Sequence, residues 1–375
     1  MDLKRLKFID KIFIAAICFL VGFGLVILIS ATNTVAFSNP APLIIKQIGV
    51  VILGLGAIII LISYDYLHIQ QFSILFYGLS IILLILVIFV GKDSRWLELG
   101  FLPAIQVSEI TKVLMILSFA GFLNNRKDHL DTLTDILPCL LYMGVPFLLI
   151  MLQPDLGTAL VYITITVVMM FFAGANPKIL FVLVMAGTLT VALLLFLHFQ
   201  YSFPLPLEDY QLKRLIVFMD PYADGKGGMG DGWNVIQSLV AIGSGGLYGR
   251  GLFQGTQVQL NFLPEHHTDF VFAVIGEELG FIGAVLVITA FTVMLIRSLI
   301  ISFEAKELYG SLIVIGISAM WLFHIFENIG MTLGVMPITG IPLPFLSYGG
   351  SSMLTNLIAA GIILSVNIRG NQIVF

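Results

Sequence analysis

Residues 263–291 read LPEHHTDFVFAVIGEELGFIGAVLVITAF. Glu265, His266, His267 and Asp269 crowd the opening of this stretch, and from Phe270 onward it is apolar except for Glu277 and Glu278. An apolar run of about 20 residues is what a helix needs to cross a hydrocarbon core about 30 Å thick. The stretch therefore predicts a transmembrane helix with titratable groups gathered at its mouth.

Working outward, comparable apolar runs lie at about 12–31, 42–63, 72–91, 108–123, 136–153, 156–173, 178–199, 270–296, 308–330 and 351–368. Charged residues make up 11% of the chain, against roughly 25% in soluble domains, while 59% is hydrophobic. The expected fold is an all-α polytopic membrane protein, a single domain over 1–375 with about ten transmembrane helices. The first run follows Lys4, Arg5, Lys7 and Lys11 and is too long for the apolar core of a signal peptide, which predicts an uncleaved first helix. With the N-terminus inside, ten lysines and arginines fall on the inner side (Arg126, Lys127, Lys178, Arg297, Lys306 and Arg369 join the first four). Lys46, Lys92, Arg95 and Lys112 fall outside. That asymmetry fits the positive-inside rule and predicts that both termini are cytoplasmic.

Cys18 and Cys139 both lie in apolar runs, so neither a disulfide framework nor a cysteine-based zinc site is expected. The inner connections are about ten residues or fewer, too short for a nucleotide-binding domain. GSGGLYGRG (243–251) lacks the Gly-Lys-Ser/Thr ending of a phosphate-binding P-loop. No nucleic-acid partner is expected.

The sizeable polar piece is an extracytoplasmic loop, 200–269, between helices seven and eight. Prolines in SFPLPLEDY (202–210) break helix seven; YQLKRLIVFMD (210–220) reads as a short amphipathic helix; WNVIQSLVAI (233–242) has helical spacing suited to the interface plane. Eleven glycines between 225 and 255 call for tight turns and a close approach to another element. LQPDLGTA (152–159) and GVMPITGIPLPFLSYGGSS (334–352) interrupt the apolar pattern on the same face. Non-helical backbone at membrane depth needs protein or a water-filled cavity around it, so Asp155, Arg214, Asp269 and Ser347 are expected to converge on one outward-opening cavity.

Ionisable groups at a membrane edge are functional candidates by default. Burial at the mouth of helix eight would raise the pKa of Asp269 toward general-base range; capping that helix, by Thr268 or Asp269, is the plain alternative. Adjacent His266 and His267 show no zinc-binding helical spacing, and a solvated loop face is the reading for His266. A magnesium ion held mainly by substrate phosphates fits a site with so few carboxylates. Glu109 and Lys112, three apart in SEITK, read equally as an ion pair or as an anion site. Of adjacent Lys213 and Arg214, only one can face a cavity, and arginine suits bidentate phosphate contacts. Arg250, in a glycine turn, is a further cation; Glu265 and His267 complete the substrate-binding set around Asp269. Glu277, Glu278, His324 and Glu327, inside helices, read as structural pairs or as a proton relay.

The stretches RWLELGFLPAIQVSEITK, LQPDLGTAL, YQLKRLIVFMDP, IGSGGLYGRGL, LPEHHTDFVFAVIGEELGFIG and GIPLPFLSYGGSS, in that order over nearly the whole chain, resemble the SEDS family of RodA, FtsW and the sporulation paralogue. The last is more similar to RodA than to FtsW. DGKGGMGDGW (224–233) departs from the pattern by being longer and richer in glycine. The resemblance implies an inverting peptidoglycan glycosyltransferase that polymerises lipid II at the outer face of the membrane for cell elongation and shape. It implies a class B penicillin-binding protein as the transpeptidase partner. It places the family's essential aspartate on Asp269, its helix-four acid and base on Glu109 and Lys112, and its Gln-Pro-Asp carboxylate on Asp155. A lipid II flippase and a non-catalytic scaffold are the rival readings. Transporters commonly show inverted repeats and discontinuous helices at the midplane, whereas here no repeat is visible and the charges gather at the outer face; a scaffold leaves a poised carboxylate unexplained.

Overall fold

The computed structural model describes residues 9–33, 40–92, 95–98, 104–205, 208–223, 226–230 and 232–370. Lys4, Arg5, Lys7, Gly225 and residues 99–103 of the first family-like stretch lie outside them. In chain order the elements are α1 (Lys11–Thr32), α2 (Ala41–Ser63), α3 (Tyr66–Gln70), α4 (Ser73–Val90), a hairpin of β1 (Trp96–Leu97) and β2 (Ile105–Gln106), α5 (Val107–Asn124), α6 (Leu133–Met151) and α7 (Leu156–Phe172). There follow α8 (Pro177–Tyr201), α9 (Asp209–Met219), α10 (Trp233–Gly245), α11 (Thr256–Gln259), α12 (Val271–Glu304), α13 (Leu308–Thr332) and α14 (Gly350–Gly370). Among the described residues nine helices are long and apolar enough to cross a membrane, and α7 is a shorter apolar helix of 17 residues.

Each of the ten apolar runs is thus a helix, because a chain in lipid must satisfy its backbone hydrogen bonds internally. Burial sorts them. α5, α13 and α14 are buried nearly all round, and α13 packs on α5, α7 and α12. α8 lies at the other extreme: it packs on α7 and buries only Leu180.

α12 is discontinuous. Gly280 sits at φ 65°, ψ −160°, a conformation open to glycine. The backbone groups freed by the break are taken up by the glycine turn after α10. Phe281 and Ile282 donate to the carbonyls of Gly246 and Leu247 at 2.9 and 3.2 Å, and Arg250 and Gly251 donate to those of Glu277 and Glu278 at 3.0 and 2.9 Å. The element that the glycines approach is therefore the backbone of α12.

α10 departs from the interfacial position expected of it. It packs on α12, buries Val235, Ser238 and Ala241, and donates from Ser238 Oγ to the Thr332 carbonyl at 2.8 Å. The reason is steric: without a side chain at Gly245, the helix end closes directly onto α12. A Cβ there would stand 1.9 Å from the Gly276 carbonyl oxygen. Gly245→Ala is expected to destabilise the protein by about 1–3 kcal/mol through overpacking, read as a lower unfolding temperature in detergent. A wild-type transition would show that the contact is slack.

Candidate functional site

The site forms where three breaks in the helical pattern meet the C-terminal end of α13. The first is the turn before α12. Glu265, at φ 52°, turns the chain so that its carbonyl receives the backbone N–H groups of Thr268, Asp269 and Phe270, while Thr268 Oγ1 donates to Glu265 Oε2 at 2.9 Å. Phe270 is the N-cap of α12, and no side chain caps it. The capping alternative for Thr268 and Asp269 is therefore not adopted. His266, expected on a solvated face, is buried instead. Its ring nitrogens lie 2.6 and 2.8 Å from the carbonyls of Leu263 and Ala31, pinning the turn to α1.

Asp269 is half-buried. Burial and the neighbouring Glu265 push its carboxyl up to about 6, against the opposing pull of Arg214 and Thr268. His267 is held below the usual histidine range by burial and by His266, and its carbonyl accepts from Tyr348 N at 2.9 Å.

The second break, 334–349, crosses in front of Asp269. Gly340 is at φ 78°, and a Cβ there would lie 3.2 Å from Asp269 Oδ2. Asn328, on α13 and fully buried, donates from Nδ2 to the carbonyls of both Asp269 and Ile341 at 2.8 Å. One amide thus holds the aspartate's backbone against the crossing segment.

The third break is the 152–155 turn. Asp155 caps α7, accepting from Thr158 N at 3.0 Å and Thr158 Oγ1 at 2.9 Å, and it also faces a cleft lined by Arg95, Tyr210, Arg214, Pro337 and Thr339. Arg214 Nη1 donates to the carbonyls of Ile338 and Thr339, 3.0 Å each, and its guanidinium lies over the Tyr210 ring. Its neighbour Lys213 is exposed. Arg95 donates to the Gln153 carbonyl at 2.9 Å, to Tyr210 Oη at 2.9 Å, and to the Pro154 carbonyl. The β hairpin, pairing Trp96 with Gln106 and Leu97 with Ile105, brings Arg95 there.

So the structure brings Asp155 and Arg214 to one cleft and places Asp269 behind its 338–340 wall. Among the described residues no ion pair within 4.0 Å joins Arg214 to Asp269. Of the expected substrate-binding residues, Asp155 and Arg214 line this cleft; Glu265 and His267 lie in the turn before α12, and Glu109, Lys112, Ser347 and Arg250 face elsewhere. Lys112 is 1% exposed, its ammonium 2.7 Å from Glu109 Oε1 and 3.0 Å from His324 Nε2; helical spacing turns the Glu109–Lys112 pair inward. Ser347 is buried, its Oγ accepting from Leu343 N at 2.8 Å. Arg250 donates to Thr256 Oγ1 at 2.7 Å, beside Glu277. Glu277 in turn accepts from Gln257 N at 2.8 Å, and Glu278 holds Ser30 Oγ at 2.6 and 2.7 Å, both structural pairings. Among the described residues no three His, Cys, Asp or Glu side chains gather as a metal-binding group.

The arrangement offers a raised carboxylate near a cationic cleft, a combination suited to proton abstraction beside an anionic leaving group. The FtsW/RodA/SpoVE family, described as cell cycle proteins, matches residues 10–372. The chain belongs to this family. It is 38% identical over 322 residues to stage V sporulation protein E of Bacillus subtilis, covering 84% of each chain. It is 33% identical over 392 residues to the peptidoglycan glycosyltransferase RodA of Treponema pallidum, covering 87% of this chain and 89% of that one. Among solved structures it resembles a chain of a peptidoglycan synthase complex that coordinates polymerization and crosslinking, with TM-score 0.80 and 28% identity over 97% of this chain and 99% of the other.

Within this member of the family, Arg95, Tyr210, Thr339 and Asn328 escaped the sequence reading. Arg95 had a visible signal, a cation beside a tryptophan in the connection between α4 and α5. Asn328 had none, since a single amide in an apolar helix shows its partners only once the chain is folded.

Proposed function

We propose that this protein is an inverting peptidoglycan glycosyltransferase that polymerises lipid II at the outer face of the cytoplasmic membrane, with Asp269 as general base. The observation that carries the reading is the Asp269 carboxyl, pushed up to about 6, at the mouth of α12 and behind a cleft containing Arg95 and Arg214. Asp269 takes the proton of the acceptor sugar's 4-hydroxyl as that oxygen attacks the donor's anomeric carbon. An α-linked donor giving a β-linked product is an inversion, which needs a base and no glycosyl-enzyme carboxylate. Undecaprenyl pyrophosphate leaves with the bonding electrons, and Arg214 stabilises its growing charge. Glu265 and His267, in the same turn as Asp269, contribute to substrate binding, as does Asp155 on the cleft wall. Lys112 with Glu109 acts from within the protein. A magnesium ion, if used, would be held chiefly by the substrate's pyrophosphate.

The relative in a peptidoglycan synthase complex supports an assembly of the same kind here, with a class B penicillin-binding protein as crosslinking partner. Kinship to both a sporulation protein and a RodA supports the family activity; the RodA-like form of the last stretch favours a role in elongation.

The break in α12 at Gly280 suits a transporter, since discontinuous helices frame many transport sites. Its freed groups are taken up by the backbone of Gly246, Leu247, Arg250 and Gly251 and so are not left open to a transported ligand, which favours the polymerase. Purified protein supplied with lipid II separates the two: polymer on a gel supports the glycosyltransferase, and lipid movement without polymer overturns it.

Orientation has its own test. After replacement of Cys18 and Cys139, single cysteines at Met229, 77% exposed, and at exposed Asn125 are expected to react with an impermeant reagent from opposite sides, Met229 from outside. Labelling from one side would refute the topology.

A further inference from the structure

The mechanism leaves Glu327 unused, although a carboxyl 1% exposed inside α13 is costly to bury without a role. It lies within reach of the Thr339 hydroxyl, and among the described residues neither Glu327 Oε1 nor Thr339 Oγ1, both buried, has a hydrogen-bond partner. Two buried, unpartnered polar atoms within reach of one another call for an explanation, and a mutual hydrogen bond would satisfy both.

Thr339 is the hinge of the site. Its carbonyl and that of Ile338 hold Arg214, and the next residue, Gly340, abuts Asp269. Its Cβ packs so closely on α7 that a Cβ at Gly157 would lie 3.1 Å away. A shift of Thr339 would therefore move the arginine and the wall of the aspartate together. We propose that Glu327, through the Thr339 hydroxyl, is a positioning residue that fixes the 338–340 segment and so sets how Arg214 faces Asp269.

The charged groups acting on Asp269 are Glu265 from its own turn and Arg214 from α9, with Glu327 approaching the same segment from α13. Releasing Arg214 weakens a positive charge that acts on the aspartate, so its titration midpoint moves up. Removing Glu327 merely as a negative charge would move it down. The two roles thus differ in sign.

The inference rests on Asp269 as general base, but its test needs no substrate. The full chain in lipid nanodiscs would be titrated by infrared difference spectroscopy, following the carboxyl band that Asp269→Asn abolishes. Thr339→Val and Glu327→Leu are expected to raise the midpoint, on the order of 0.5 pH unit; Thr339→Ser, which keeps the hydroxyl, should titrate as the parent does, and Glu327→Gln, which keeps an acceptor oxygen and loses only the charge, should not raise it. An unchanged or lowered midpoint in Thr339→Val or Glu327→Leu overturns the proposal. Should Glu327→Leu not fold, Thr339→Val carries the test alone. Absence of polymer from the unmodified protein would count against the glycosyltransferase and leave this titration valid.

Discussion

Asp269→Asn is expected to fold, bind lipid II and make no detectable glycan polymer. The amide matches the carboxylate in size and cannot accept the proton. No cap is lost either, because Asp269 does not cap α12, and the bond from Asn328 is to its backbone oxygen. Loss of a general base typically lowers rate by about 10²–10⁴, enough to clear a gel of product. In the unmodified protein a carboxyl near 6 is mostly ionised at pH 7, so turnover should fall as pH drops through about 6. Near-normal polymerisation by folded Asp269→Asn would remove the aspartate from the chemistry, whatever the family relationship.

Arg214→Ala should have the next largest effect. It deletes the donor shared by the carbonyls of Ile338 and Thr339 and the cation that holds down the Asp269 carboxyl. A charge-assisted contact contributes about 1.5–3 kcal/mol, which corresponds to a loss of roughly 10–150-fold in kcat/KM. The acid limb of the pH profile should also move to higher pH, because removing a nearby positive charge raises a carboxyl's pKa. Arg214→Lys separates the two contributions. An ammonium can still donate to both carbonyls and keep the limb in place, but it lacks the planar fork for a phosphate, so turnover should return only in part. Unaltered kinetics in Arg214→Ala would shift the pyrophosphate contact to Arg95, the other arginine on the cleft.

Much of the architecture was legible in the residues because lipid leaves a chain few options. Ten apolar runs became ten helices, and YQLKRLIVFMD became α9 at Asp209–Met219. α10 was legible as a helix but not in its position, since a close contact through Gly245 cannot be read from periodicity. The same limit applied to side chains. Of the residues expected around the cavity, Asp155 and Arg214 share a cleft, whereas Lys112, Ser347 and Arg250 turn to partners of their own. Periodicity places a residue on a helix face; whether that face meets a cleft or another helix depends on packing.

By itself the sequence determined the spans, the breaks between them and the family, because hydropathy, proline and glycine act locally and the motifs are long. Only the tertiary structure decided which breaks meet. Gly340 passes in front of Asp269, Asn328 ties that aspartate's backbone to Ile341, and Arg214 lies on the carbonyls of 338–339. These contacts join residues more than 50 positions apart, or orient backbone oxygens that every residue type carries. A carbonyl has no signature in a sequence, and here carbonyls hold the site together.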